Sequence, residues 1–582
     1  DLVLLHTSDF STEPGWKKQR LKGFEQWIPR ILGGLPFAVM IIAYFTATEG
    51  FSWEMIAYLV LWGVFIFFVV RRRKILKRWL NMTFLDIQPG KYVFSLAFVW
   101  KYLRFALISV IAYTAILILF ILSTVSFPQF LGTVAVICLA LATWITEGCL
   151  LVYADKQTRL PLVLIVVLLL VVFSRVNNNH SIDMLPLQAK TNRPDLTSHF
   201  EKWLAERDTT SDEEADPYPV FIIAAEGGGI RAAYWTAGIL SAIQDQQPSF
   251  REHIYAVSSV SGGSLGAAIY LAMISDTLDN NSSFDYTAVS AAILGEDFLS
   301  PVVSSLVYPD LLQRILPLPI YRFDRARALE ASWEKAWKEV RQNDQMSRGF
   351  LKLWDTHPYR VPAFFLNTTQ VETGTRAIIS NVRIGDEFGQ TPDLGELTEY
   401  RTRLSTATLL SARFPFVTPG ARLYHNPDIG FFDKWFSSQD DVWGHIVDGG
   451  YFENSGAATA YDILSSLEHF ERSRNIRLYT LVVRNDPKLK NEPMLWLNEV
   501  REPPTSLLKA RSARVPYSID VIKNHLGEDS VIPLNMRASR KEVPLGWTLS
   551  LSARKRVEDE IEKAMQGESV RKILGLLRMD RK

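Results

Sequence analysis

Hydrophobic positions fall into two regimes along this chain. Up to about residue 175 the apolar residues run nearly unbroken through 28–47, 53–70, 103–125, 130–152 and 160–173. The first four runs approach the ~20 residues that a helix needs to cross a bilayer, and the fifth is shorter. Five transmembrane helices are expected, with an interfacial or re-entrant course as the alternative for the fifth. Beyond residue 217 the apolar runs shorten and alternate with helical stretches. Residues 219–225, 254–260 and 443–447 read as buried strands, and 232–240, 267–274 and 457–467 as helices. The expected organisation is a transmembrane helical domain over 1–175, a linker over 176–216 around one short helix near 195–207, and an α/β domain over 217–582. Residues 276–339 read as a helical insertion, with a lid as the alternative reading.

Charge adds an orientation. Lys17, Lys18, Arg20, Lys22 and Arg30 precede or begin the first run. Arg71, Arg72, Arg73, Lys74, Lys77, Arg78, Lys91, Lys101 and Arg104 follow the second, and Lys156 and Arg159 precede the fifth. The connections near Glu49 and Pro128 carry no basic residue. The excess of Lys and Arg marks the cytoplasmic side, so the N-terminus is expected inside and, after five crossings, the α/β domain outside. The basic run at 71–74 reads as a stop-transfer anchor against anionic headgroups, and Glu147 as facing a neighbouring helix or lying near the interface rather than facing lipid, with a proton or substrate pathway as the alternative. A net charge of +1 argues against nucleic acid as a partner. Cys138 and Cys149 both fall in a predicted span, so there is no disulfide framework, and a bacterial inner membrane suits the chain better than a secretory lumen. The chain opens on Asp1 rather than Met, so an upstream segment is allowed for.

Three motifs carry candidate chemistry. Gly262-Gly263-Ser264-Leu265-Gly266 fits G-x-S-x-G between a strand and a helix, where glycines at 262 and 266 would let Ser264 stand at a tight corner as a nucleophile. Alone the pattern is weak, arising by chance in roughly one in five chains of this length. Glu226-Gly227-Gly228-Gly229-Ile230-Arg231 lies between a strand and a helix, where backbone N–H groups at a helix N-terminus suit an oxyanion. A nucleotide-phosphate loop is the alternative, although neither phosphate-loop spacing is present. Asp448-Gly449-Gly450 ends a strand, where open α/β sheets place their sites; a turn or capping Asp is the plainer reading. His445 points away from Asp448 by strand alternation. His469 and His525 follow the acid, but neither sits in a site-like loop. A Ser264–Asp448 dyad is therefore expected, without a histidine.

Together these stretches resemble the patatin-like phospholipases, whose pattern is D-G-G-G-x-R/K-G, then G-x-S-x-G, then D-G-A/G. Phe365-Leu366-Asn367-Thr368-Thr369-Gln370-Val371-Glu372-Thr373-Gly374 is similar to that family's F-x-N-x-T-x-x-x-T-G strand, and Ser411-Ala412-Arg413-Phe414-Pro415 to its S-A-x-F-P segment. The likeness covers about 217–467, with 545–550 as a possible domain end. It departs at Glu226, where the family has Asp, and at Ala232, where it has Gly. It implies a three-layer α/β hydrolase domain, here preceded by transmembrane helices. It also implies catalytic Ser264 and Asp448, an oxyanion hole from Gly227, Gly228 and Gly229 with Arg231 nearby, and no metal or other cofactor. The expected activity is hydrolysis of fatty-acyl esters of membrane phospholipids or other acyl lipids through an acyl-enzyme. A transacylase, or a membrane protein that only binds lipid or a partner, is the alternative.

Overall fold

The computed structural model describes 53–80, 96–158 and 160–579. Its breaks in the last stretch are 175, 187–192, 208–215, 281–283, 415–416, 427, 431–432, 434–438, 486–497 and 538–542. Before residue 53 it describes a few positions, among them Gly34 and Phe37. The chain divides into two compact units, 1–104 and 105–582. In the first, α1 (Trp53–Leu80) continues through Arg71–Lys74 instead of ending before them. The predicted run 28–47 lies largely outside the described residues.

The second unit starts within α2 (Leu96–Leu122) and adds α3 (Ser126–Leu131), α4 (Thr133–Thr158) and α5 (Leu162–Phe173). Among the described residues two helical stretches are long and apolar enough to cross a membrane. One is 133–155, little of which is buried; the other is 286–313, over half of which is packed inside the domain. Residues 59–71, 107–122 and 162–173 are apolar but shorter. Ser109 donates to Glu147 at 2.7 Å, so this acid faces a neighbouring helix.

The α/β part is built on an eight-stranded mixed sheet. Its strands are β1 (Tyr218–Ala225), β2 (Ile254–Val260), β3 (Ala363–Gln370), β4 (Arg376–Ser380), β5 (Ala421–Tyr424), β6 (Val442–Asp448), β7 (Ile476–Arg484) and β8 (Val531–Asn535). They are ordered β5-β6-β3-β2-β1-β7-β8, with β4 on β3. Strands β1, β2 and β7 are largely apolar because they are parallel and covered on both faces. Alternation along β1 separates the two cores. Phe221 and Ile223 pack with α7 (Gly229–Gln246) and α8 (Gly262–Asn280), whereas Val220, Ile222 and Ala224 pack with α6 (Leu196–Ala205), α14 (Ala457–Ser473) and α15 (Asn498–Leu526). The result is three layers, helices on both faces of one sheet.

Two boundaries differ from the expected ones. Helices α3, α4 and α5 belong to the same compact unit as the α/β part. Gln129 donates to Asp297 O at 2.8 Å, Thr133 bonds Ser300 at 2.8 Å and Trp144 donates to Val307 O at 2.7 Å, which joins α3 and α4 to α10 (Leu299–Val307). Much of 176–216 is not a loose linker. Asn177 is buried and donates to Gln313 O and Arg314 O, Ser181 bridges to Arg422 beside β5, and α6 places Phe200 and Trp203 in the core. The insertion 276–339 folds as α9 (Tyr286–Leu294), α10, α11 (Pro309–Gln313) and α12 (Arg325–Arg341); Ile293, Phe298, Val302, Leu329 and Trp333 pack into the same core as α7 and α8, while Tyr308 packs with residues of α2 and α4.

Helices α7 and α8 cross closely at Gly266. A Cβ there would lie 2.5 Å from Ala233 O and 2.9 Å from Thr236 Cβ, too near for any side chain without a shift of the helices. Gly266→Ala is expected to lower stability by about 1–3 kcal/mol through overpacking. Gly575→Ala, in the last helix α17 (Glu568–Met579) where a Cβ meets open space, is expected to raise it by about 0.5–1 kcal/mol. Thermal denaturation of the two variants beside the parent checks both signs.

Candidate active site

The register of β3 brings the pieces of the site together. Asn367 is the β3 residue opposite Val260, the last residue of β2. The next residue, Thr368, is opposite Asp448, the last residue of β6. The end of β2 and the end of β6 therefore meet consecutive positions of one strand, and the residue that follows β2 is Ser261.

Ser261 has the geometry expected of a nucleophile at a strand-to-helix corner. It stands between β2 and α8 with φ 54°, a left-handed conformation that costs a non-glycine residue on the order of 1–3 kcal/mol. It is held there by its N–H, which donates to Ser411 O at 3.1 Å. Its hydroxyl lies near enough to the Asp448 carboxylate to hold that group's pKa down, without forming a well-aligned hydrogen bond to it.

Ser264 is not at the corner. It lies one turn into α8 and is fully buried. Its Oγ receives a hydrogen bond from Ser259 at 2.9 Å and bonds Ser411 Oγ at 2.8 Å, and Ser411 in turn donates to Asn367 O at 2.5 Å. This hydroxyl chain uses Ser264 as a packing element that fastens α8 to β3. Ser264 therefore does not stand at the corner where the nucleophile was expected: its side chain is fully buried and its hydroxyl is committed on two sides. Gly266 stands off the corner as well, its missing side chain serving the α7–α8 crossing two residues further along α8. The elbow is Ser259-Val260-Ser261-Gly262-Gly263, in which serine replaces the first glycine of the usual pattern.

Gly262 keeps an elbow role. Its Cβ would fall 1.9 Å from Gly229 O, and that of Gly263 would fall 2.6 Å from Glu226 O. Only glycine allows the corner to lie directly against the 226–229 loop. Helices α7 and α8 thus begin side by side, and the positive ends of both dipoles converge next to Ser261.

Within the loop the three glycines divide their work. Gly227 N–H donates to Asn454 O at 2.8 Å and has no capacity left for an oxyanion. The N–H groups of Gly228 and Gly229 have no acceptor among the described residues and stand at the N-terminus of α7. Gly229, at φ 59°, would bring a Cβ within 2.6 Å of Gly546 O. Arg231 is buried and turned away from the site: Nε donates to Asn485 Oδ1 at 2.9 Å and Nη1 to Val543 O at 3.5 Å. It braces the loop rather than lining the oxyanion hole. Glu226 fits the same brace, accepting from Asn485 N at 2.9 Å with a reach that the family's shorter Asp would lack.

Asp448 is buried, and Oδ1 accepts from Gly450 N at 2.8 Å. Oδ2 lacks a well-aligned partner. Since the Ser261 hydroxyl still stabilises the charged carboxylate, the pair is within reach but not yet aligned, a common state of catalytic contacts before substrate arrives. Burial pushes the Asp448 carboxyl above its usual value, while the Ser261 hydroxyl, the Arg511 guanidinium and the Gly450 N–H pull it back. The segment 411–413 spans the pair, with Ser411 O holding Ser261 and Arg413 O accepting from Asp448 N at 3.0 Å. Thr369 secures the acid from β3 by donating to Asp448 O at 3.0 Å. His445 is engaged elsewhere, its Nδ1 2.6 Å from Glu372, and His525 pairs with Glu468.

The sequence of residues 223–461 matches the family of patatin-like phospholipases. These residues form a patatin-like phospholipase domain. Its span runs from β1 into α14 and contains the glycine loop, Ser261 and Asp448, and the activity that belongs to such a domain is lipid ester hydrolysis. Asn485 and Gly546, which support the patatin-like loop, fall outside the matched span. The fold is similar to that of VipD from Legionella pneumophila, with TM-score 0.28 and 11% identity over 68% of this chain and 73% of that one. It is similar also to human GIVD cytosolic phospholipase A2, with TM-score 0.33 and 13% identity over 66% of this chain and 63% of that one. No curated protein matches the sequence. Among the described residues no three His, Cys, Asp or Glu side chains gather as a metal site.

Asp448 generates a prediction about stability. Its raised pKa means that the folded state holds the carboxyl proton more tightly than the unfolded chain does. The favourable contribution is present at low pH and lost as pH rises through the folded value. Asp448→Asn is therefore expected to melt no lower than the parent at pH 7, with any advantage shrinking as the pH falls. Thermal melting across an acid-to-neutral pH series checks the sign.

Proposed function

We propose that this chain is a membrane-anchored lipid acyl hydrolase in which Ser261 is the nucleophile and Asp448 its base. The observation that carries the reading is the Ser261 hydroxyl at a left-handed corner, in reach of a buried, under-bonded carboxylate and beside two loop amides that have no acceptor among the described residues. Asp448 takes the hydroxyl proton as Ser261 Oγ bonds to the acyl carbonyl carbon. The negative oxygen of the tetrahedral intermediate is stabilised by the N–H groups of Gly228 and Gly229 and by the converging helix N-termini. Asp448 then returns the proton to the departing alcohol, leaving an acyl-enzyme. Water attacks by the same route: its proton goes to Asp448 and then to Ser261 Oγ, and the fatty acid is released. Because the base must be ionised, the rate falls as pH drops through the raised pKa of Asp448.

Membrane anchoring rests on α4, which is apolar over 133–155 and largely uncovered by protein. An anchor of this kind holds the site beside acyl lipids at high effective concentration. Phospholipid is accordingly the proposed substrate class.

The test is fatty-acid release from mixed phospholipid vesicles by the full chain. Ser261→Ala and Asp448→Asn are each expected to lose activity by ~10³-fold or more, while Ser264→Ala, which removes one link of a buried hydroxyl chain, keeps measurable release. Release that survives in Ser261→Ala and disappears in a folded Ser264→Ala would return the nucleophile to position 264.

A further inference from the structure

We propose that α10 and α11, with the residues that follow to Ile320, form a wedge of the hydrolase domain sunk into one leaflet beside α4. Its partner is the hydrocarbon of the bilayer. The proposal rests on the membrane anchoring argued above and adds where the catalytic domain meets the lipid.

Three observations converge. The first is the geometry of α10 against α4. Ser300 bonds Thr133, Tyr308 OH bonds Thr143 at 3.2 Å, and Trp144 donates to Val307 O at 2.7 Å. As α4 advances from Thr133 to Thr143, about 15 Å or half a bilayer core, α10 runs alongside it. A helix that crosses a membrane at this level takes its neighbour in with it. The contact also satisfies the indole N–H of Trp144, which lipid could not.

The second is composition. From Leu299 to Ile320 the only charged residues are Asp310 and Arg314, and they pair at 2.6 Å with Asp310 buried. The third is surface. Leu306, Leu311 and Leu318 are exposed, and Phe130, on the short helix that also meets this region, is 84% exposed. Large apolar side chains left uncovered beside an apolar helix require a non-aqueous neighbour.

The wedge also touches the site. Phe298 N, at the start of α10, donates to Trp547 O at 3.1 Å, and the adjoining Gly546 O accepts from Ile230 N, next to the loop amides, at 2.8 Å. One short segment therefore joins the lipid-facing helix to the oxyanion loop.

The experiment uses the full chain with Cys138 and Cys149 replaced by Ser. Single cysteines at Leu306, Leu311, Ile145 or Tyr517 carry an environment-sensitive fluorophore in phosphatidylcholine–phosphatidylglycerol vesicles. Quenchers are nitroxides on the lipid acyl chains and iodide in the water. The expected result is that labels at 306 and 311 lose most of their emission to the acyl-chain nitroxide, as at 145 on α4, while the label at 517, which is 70% exposed on α15, responds to iodide. Quenching at 145 with 306 and 311 behaving like 517 overturns the wedge and leaves the anchor standing. Protection of 306 and 311 from both quenchers means that another copy of the chain covers the face, which also overturns it. No acyl-chain quenching at 145 removes the anchoring itself, and the wedge with it.

Discussion

Everything at the site depends on the register of one strand. β3 faces the end of β2 through Asn367 and the end of β6 through Thr368, so two segments nearly two hundred residues apart in sequence finish within one residue of each other. Slipping that pairing by one would turn every side chain of β6 to the opposite face and carry Asp448 away from Ser261. Side chains lock it from both ends: Asn367 Nδ2 donates to Ser259 O, and Thr369 Oγ1 donates to Asp448 O. The polar residues of the F-x-N-x-T stretch are thus the fasteners of the site, which explains why buried asparagine and threonines interrupt an otherwise apolar strand.

The second constraint is close approach. Gly262, Gly263 and Gly229 sit where any Cβ would strike backbone. The corner and the glycine loop form a single block in which two helices start against each other. Strain at Ser261 and the desolvated charge of Asp448 are both unfavourable for folding. They persist because the surrounding sheet and the Ser259–Ser264–Ser411 hydroxyl chain determine these positions more strongly than local preference does.

Much of this was legible in the residues. Apolar runs located β1, β2 and β6 to within a residue, and Asp448 and the glycine loop were recognisable from their places at strand ends. The G-x-S-x-G pattern, anchored on glycines at both ends, drew the expected nucleophile to Ser264, whereas the proposed reading places it at Ser261. The strand that ends at Val260 already implied a corner at Ser261, and a small Ser259 fills the first glycine's place. The supports for the loop, Asn485 and Gly546, carry no local signal, since they reach the site only through the sheet order β1-β7-β8 and the late segment 543–547. The packing of 176–186 was hidden for a like reason: its polar Asn177-Asn178-Asn179 run resembles a loop until Asn177 is seen bonded to the ends of α11.

The hydrogen bonds from Gln129, Thr133 and Trp144 to α10 bear on how such a molecule searches for substrate. An enzyme on a flexible tether sweeps a volume above its anchor, and its reach grows with the length of the leash. Here α4 is bonded to the hydrolase domain itself, and in the proposed reading the catalytic centre has no leash. Its field is the ring of lipids around one helix, renewed only as lipids exchange past it or the whole protein drifts in the plane. Turnover would then respond to membrane fluidity as directly as to the concentration of cleavable lipid.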